Sequence, residues 1–232
     1  MSDHVVPAPA VPVVPVFGTA SGFPVHRIYC VGRNYADHAI EMGGSGREPP
    51  FFFLKPADTV VPVGPGGHEI AYPTLTQNLH HELELVVALG TGGRDIPVER
   101  ALEHVFGYAI GLDLTRRDLQ DEMKQQRRPW DISKGFEQSA PIGPITPAAE
   151  VPDVLQAALR LDVNGQVRQS GNVNQMIWSV AEVIAHLSRA WVLQPGDLVY
   201  TGTPAGVGAV QPGDVLTAWG EGLAPFTLRV HA

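Results

Sequence analysis

Two glutamates one residue apart, Glu82 and Glu84, open an otherwise apolar run, H-H-E-L-E-L-V-V-A-L. The run has the length of a strand, and residues two apart in a strand point to the same side. Carboxylates held side by side at the mouth of a buried element repel. Each raises the other's pKa unless a cation sits between them. Asp113 ends a second apolar run, V-F-G-Y-A-I-G-L-D, and offers a third acid. Three carboxylates and no thiolate suit Mg2+ or Mn2+, with waters completing an octahedron. His80 and His81 keep Zn2+ as a second choice. A solvated strand end carries the same E-x-E spacing, so spacing alone does not decide.

Other residue types extend the chemistry. His38 and Glu41, in Y-A-D-H-A-I-E-M, share a helix face if that segment is helical. A carboxylate beside an imidazole raises its basicity and fixes its tautomer, which makes a general base for water. A surface ion pair has the same spacing. Lys134 stands among apolar residues in W-D-I-S-K-G-F. Buried, it would offset a tri-carboxylate site or hold a substrate oxyanion; exposed, it is a loop lysine. Arg116 and Arg117 follow Asp113, and on a helix one would face the site and the other solvent. Lys55, after F-F-F-L, is a similar case. T-G-T-P-A-G-V-G at 201–208 lacks the lysine of a phosphate loop and fails G-x-G-x-x-G. It reads either as a turn whose N–H groups and Thr203 hydroxyl bind a carboxylate, or as a structural turn.

These residues need a frame. The prolines of V-V-P-A-P-A-V-P-V-V-P-V rule out a helix or central strand over residues 1–24, which read as an extended arm or as an edge segment tucked against the body. Strands are expected at His26–Gly32, Pro50–Leu54 and Phe106–Leu114, and helices at Asn34–Met42 and Pro97–Val105. Gly43-Gly44-Ser45-Gly46 reads as a flexible loop. A polar helix is expected over Thr115–Gln126 with Thr115 as N-cap. Asn164-Gly165 predicts a type I′ hairpin within Leu159–Gln169. Ser179 and Glu182 have capping-box spacing before an amphipathic helix over residues 180–190. Q-P-G-D occurs at 194–197 and 211–214, a turn device used twice. No linker divides residues 25–232. The sum is one α+β domain, mainly β, without regular βαβ alternation.

Bulk properties remove other classes. The chain has 232 residues and a formal net charge of −8, which argues against a general nucleic-acid surface. Cys30 is the one cysteine, so no internal disulfide forms, and its apolar setting predicts an inert buried thiol. No run approaches the ~18 apolar residues of a membrane span. The N-terminus lacks a basic signal-peptide region, so a soluble cytoplasmic protein is expected.

The order of the motifs says more than each alone. C-V-G-R-N-Y-A-D-H-x-x-E-M, F-F-L-K-P, H-H-E-L-E-L, G-L-D-L-T-R-R-D-L-Q, W-x-x-x-K-G-F and T-G-T-P-x-G-V-G resemble, in that order, the fumarylacetoacetate hydrolase family. The resemblance runs from about Phe23 to the end and is closest to the short, single-domain branch of acylpyruvate and fumarylpyruvate hydrolases. It implies a rolled mixed β-sandwich of the family's C-terminal domain type, a homodimer, and Mg2+ or Mn2+. It implies that Glu82, Glu84 and Asp113 hold the metal, that His38 and Glu41 on a lid activate water, and that Lys134 is catalytic. Substrate contacts fall on Arg117, Gln120, Thr203 and Lys55. The implied substrate is a 2,4-dioxo acid, fumarylpyruvate foremost, with oxaloacetate decarboxylation or keto–enol tautomerisation as alternatives and fumarylacetoacetate hydrolysis a less favoured one. Arg33 or Arg47 would meet a distal carboxylate.

Overall fold

The structure is a computed structural model and describes residues 4–35 and 47–232. Its spine is the strand Leu83–Leu89, buried at every position. It pairs antiparallel with Val105–Leu112 on one side and with Leu198–Tyr200 on the other. Ile28–Gly32 and the edge strand Phe51–Lys55 extend the sheet one way, and Ala140–Ile142 and Val60–Pro62 extend it the other. Two parallel pairings, Leu198–Tyr200 with Ile28–Gly32 and Ala140–Ile142 with Val60–Pro62, make the sheet mixed.

A strand buried on both faces reads as a continuous apolar run, and its alternate side chains feed two different cores. Leu83, Leu85, Val87 and Leu89 enter the larger core. Val86 and Ala88 enter a smaller one with Ile28, Cys30, Ala109 and Tyr200. The larger core is closed by a second sheet, ordered Gln166–Asn172, Ala158–Val163, Val215–Gly220, Phe226–His231 and His68–Ala71. The helix Val180–Ala190 also packs there through Val180, Val183, Ile184 and Leu187. A three-stranded sheet of Thr115–Arg116, Leu79–His81 and Gly208–Val210 lies beside the acidic end of the spine.

Several local expectations hold. Asn164 and Gly165 have φ 51 and 76, as a type I′ turn requires. Both halves of the Ser179–Glu182 capping box form. In the two Q-P-G-D turns, Asp197 and Asp214 each accept from the backbone N–H of the glutamine three residues before, at 2.8 Å. Cys30 is buried, and burial pushes its thiol well above the usual range.

Others differ. Thr115 is not an N-cap but part of a two-residue strand. The helix spans Arg117–Gln126 without a side-chain cap. Thr115 is drawn inward because its hydroxyl bonds Glu82. Residues 98–104 form a 3-10 helix rather than an α-helix. The expected strands shift by one or two residues, to Phe51–Lys55 and Val105–Leu112. Within the proline-rich arm the edge-segment alternative is the observed one: Val13–Pro15 and Gly22–Pro24 pair as a hairpin that buries Val14, Val16 and Phe23 in the smaller core. Asn34 and Tyr35 are not helical. The rest of the expected helix and the Gly43–Gly46 loop lie outside the described residues.

Candidate active site

Strand register explains why three distant acids meet. Leu83 pairs with Leu112 and Glu84 with Gly111, so Glu82 comes opposite Asp113, whose N–H donates to the Glu82 carbonyl at 2.9 Å. Directly opposed residues in a sheet present side chains to the same face. Glu82 and Glu84 share that face by the two-residue period. Their carboxylates and that of Asp113 lie within 4.8 Å of one another, all buried, at the end of the smaller core. Neither His80 nor His81 belongs to the cluster. His80 Nδ1 accepts from Arg117 Nε at 3.4 Å, and burial with the Arg117 charge pushes its pKa down to about 4. His81 donates to Gln169 at 2.9 Å.

The repulsion inherent in the triad is largely met by the protein's own cations. Lys134 ends the short helix Asp131–Lys134 and is 2% exposed, so the buried alternative is the observed one. Its ammonium reaches Glu82 Oε2 at 2.8 Å and Asp113 Oδ2 at 2.7 Å. Burial pulls its pKa down, but the Asp113 and Glu82 carboxylates outweigh this and raise it. Lys55, also 2% exposed, donates to the Leu114 carbonyl at 3.2 Å and to the Lys134 carbonyl. Its ammonium lies 2.8 Å from Asp113 Oδ1, yet off the line of a hydrogen bond, so that buried oxygen keeps lone-pair capacity unused. Arg117 pairs with Glu82 Oε1 and donates to Gln120. Neither Arg116 nor Arg117 faces solvent, as one of the two was expected to; Arg116 is buried, its guanidinium 4.3 Å from the Phe136 ring centroid.

Glu84 is the exception. Among the described residues it has no cation partner, only the Gly202 N–H at 2.7 Å. Burial first, then the charges of Asp113 and Glu82, hold its carboxyl well above the usual range. The T-G-T-P loop thus binds a carboxylate through a backbone N–H, and the carboxylate is the protein's own. Gly202 has φ 98, and a Cβ there would come 2.7 Å from the Asn34 side chain, so the close approach needs glycine. A buried acid without a cation, an unused Asp113 oxygen and an all-oxygen donor set fit a hard divalent ion.

A cleft opens over the triad, lined by Arg33, Glu82, Glu84, Gln120, Lys134 and Thr203 among others. The expected residues Glu82, Glu84, Asp113, Lys134, Lys55, Arg117, Gln120 and Thr203 are therefore brought together. His38 and Glu41 lie outside the described residues.

Gln169 was not anticipated. Its Oε1 accepts from the Leu83 N–H and from His81 Nδ1, both at 2.9 Å. Its Nε2 donates to Thr203 Oγ1 at 2.8 Å and to the Pro204 carbonyl at 2.9 Å. It clamps both neighbours of Glu82 to the 201–208 loop. A single glutamine on a hairpin strand carries no sequence signal for this. Thr115 was named only as a cap, and Asn34, which donates to the Thr201 and Trp178 carbonyls at 2.8 and 2.9 Å, was not singled out at all.

This fold and site define a rolled mixed-sheet enzyme domain with an acidic centre at the end of its spine strand. The chain belongs to the fumarylacetoacetate hydrolase family: the family model "Fumarylacetoacetate (FAA) hydrolase C-terminal" matches residues 27–231. Its similarity runs to the short single-domain branch. A crystal structure of fumarylpyruvate hydrolase from Pseudomonas aeruginosa, in complex with Mn2+ and pyruvate, is 54% identical, with a TM-score of 0.96 and 99% of each chain covered. A mitochondrial oxaloacetate tautomerase of Homo sapiens is 43% identical over 88% of this chain and 91% of its own length. A mitochondrial oxaloacetate decarboxylase of Dictyostelium discoideum is 43% identical over 85% of this chain and 89% of its own length. No helix among the described residues is long and apolar enough to cross a membrane.

Proposed function

We propose that the chain is a Mg2+- or Mn2+-dependent hydrolase of a 2,4-dioxo acid, with fumarylpyruvate as the foremost substrate and fumarate and pyruvate as products. The observation that carries this is the buried Glu82–Glu84–Asp113 cluster bridged by Lys134. The solved relative named as a fumarylpyruvate hydrolase, with Mn2+ and pyruvate bound, supports the choice of metal and substrate.

Glu82, Glu84 and Asp113 would hold the ion, which would supply Lewis acidity to the carboxylate and 2-oxo end of the substrate. Arg117, Gln120 and Thr203 line the space where that end would lie; Lys55 stays behind Asp113. His38, held by Glu41, takes a proton from water, and the hydroxide adds to C4. The C3–C4 bond breaks, and its electrons become the enolate of pyruvate. Lys134, already aimed into the acids, stabilises that developing charge. Protonation at C3 gives pyruvate; the other half leaves as a carboxylic acid. A homodimer and a setting in aromatic-acid catabolism belong to the same reading, on the resemblance alone.

A second reading is oxaloacetate tautomerisation or decarboxylation, favoured by the names of the curated relatives. It uses the same metal and enolate chemistry without attack by water. The test is loss of ultraviolet absorbance of fumarylpyruvate, with acetylpyruvate and oxaloacetate in parallel, with Mn2+ and then EDTA. EDTA-sensitive preference for fumarylpyruvate upholds the hydrolase. Turnover of oxaloacetate without acylpyruvate cleavage replaces it with the second reading.

A further inference from the structure

We propose that Arg33 anchors a second carboxylate of the substrate, so that the site selects 2-oxo dicarboxylic acids over their monocarboxylic counterparts. This rests on the reading that the triad end of the cleft takes the carboxylate and 2-oxo group. It does not depend on which bond then breaks, because it is read from ligand binding alone.

The cations around the triad are committed. Lys134 serves Glu82 and Asp113, Lys55 serves Asp113, and Arg117 serves Glu82. Arg33 lines the same cleft as Glu82, Glu84 and Lys134. Its Nε is buried without a hydrogen-bond partner, and no carboxylate among the described residues pairs with it. A buried, unmatched guanidinium N–H is costly and calls for an acceptor. A planar fork of donors matches a carboxylate bidentately.

The backbone points the same way. Arg33 has φ 59, a left-handed conformation that is uncommon for a non-glycine residue and concentrates at ligand sites. The residues on either side fix the turn. Gly32 lies so close to the Phe51 ring that a Cβ would come 2.2 Å from it. Asn34 is tied by its side chain to Trp178 and Thr201. The guanidinium of Arg33 stands 6.0 Å from the Phe51 ring centroid, and Phe51 packs edge-on to Trp130, which also lines the cleft. Arg47, the other candidate, is spent elsewhere: it pairs with Glu182 and lies 4.4 Å from the Trp178 ring centroid.

The test needs no turnover. Binding of 2-oxoadipate and of 2-oxohexanoate, equal in chain length but lacking the distal carboxylate, is measured by calorimetry on the full chain loaded with Mn2+. Wild type is expected to bind 2-oxoadipate ~10- to 100-fold more tightly, the worth of a charge-assisted hydrogen-bonded contact. Arg33→Gln is expected to abolish that preference and leave 2-oxohexanoate binding within about twofold, with Arg33→Lys recovering part of it. Equal binding of the two acids to wild type, or binding of neither, overturns the proposal even if no Arg33 variant folds. So does a preference that survives Arg33→Gln. Failure to cleave fumarylpyruvate, by contrast, removes the hydrolase reading and leaves this selectivity standing.

Discussion

Lys134 Nζ lies 2.7 Å from Asp113 Oδ2, and the same ammonium lies 2.8 Å from Glu82 Oε2. One buried cation thus links two acids that strand register had already brought opposite each other. Removing one member of a buried ion pair costs roughly 3–5 kcal/mol, because the partner charge is left uncompensated. For a chain of this size, each kcal/mol moves the melting temperature by ~2–4 °C. Lys134→Met, measured without metal by calorimetry, is therefore expected to melt about 6–20 °C below wild type. Mn2+ should restore part of that loss while turnover stays abolished. An unchanged metal-free melting temperature would show that the ammonium does not hold the acids together.

Glu84 predicts the opposite sign. It is buried and forms no ion pair among the described residues, and burial with the Asp113 and Glu82 charges outweighs the Lys134 charge nearby, so its charge is a burden on the metal-free fold. Glu84→Gln without metal should melt no lower than wild type, because the amide keeps an oxygen for the Gly202 N–H. In wild type, Mn2+ at ~100 times its dissociation constant adds about 2.7 kcal/mol of stability. That corresponds to a rise of about 5–11 °C, which Glu84→Gln should lose. Thermal shifts with Mn2+, Mg2+ and EDTA decide it; a full Mn2+ response in Glu84→Gln would remove this carboxylate from the ligand set.

Gln169 ties the metal strand to the 201–208 loop through four hydrogen bonds. Gln169→Glu keeps the acceptor for Leu83 and His81 but sets an oxygen against the Pro204 carbonyl. Gln169→Met removes all four bonds. We expect Gln169→Met to weaken Mn2+ binding at least ~10-fold beyond any loss of stability, since Glu82 sits between the two residues it holds. Titration calorimetry on folded variant protein reads this directly. Unchanged metal affinity in a destabilised variant would reduce Gln169 to a packing residue.

The parts of this molecule legible in sequence are those governed by near neighbours. The period of two put Glu82 and Glu84 on one face, Asn164-Gly165 set its hairpin, and Ser179 with Glu182 set the start of a helix. What stayed hidden depends on partners far along the chain. Thr115 has the chemistry of a cap, but its hydroxyl finds Glu82 across the sheet at 3.2 Å, and that bond takes it out of the helix. One of Arg116 and Arg117 was expected in solvent, yet both are buried, Arg116 against Phe136. The arm's prolines excluded a helix correctly, but not the pairing of Val14 with Phe23. The Gln169 clamp joins residues 83, 169 and 203, and no local pattern encodes that.

The last prediction concerns His38, which lies outside the described residues and whose role rests on motif order. Hydrolysis needs a base for water; enolate formation from oxaloacetate requires no attack by water. A positioned general base contributes typically ~10²–10⁴-fold to a rate. His38→Ala should therefore lower kcat for fumarylpyruvate by about that factor, with KM little changed, because the groups lining the cleft over the triad remain. Oxaloacetate decarboxylation by the same variant should fall less than about fivefold, given the smaller demand on a base. Glu41→Gln should follow His38→Ala in direction but less steeply, since it acts by orienting the imidazole. Equal losses on both substrates would instead assign His38 to a step common to them, such as proton delivery to the enolate. Full activity on both would mean that another group activates water, and the mechanism would have to be rebuilt around the remaining residues of the cleft.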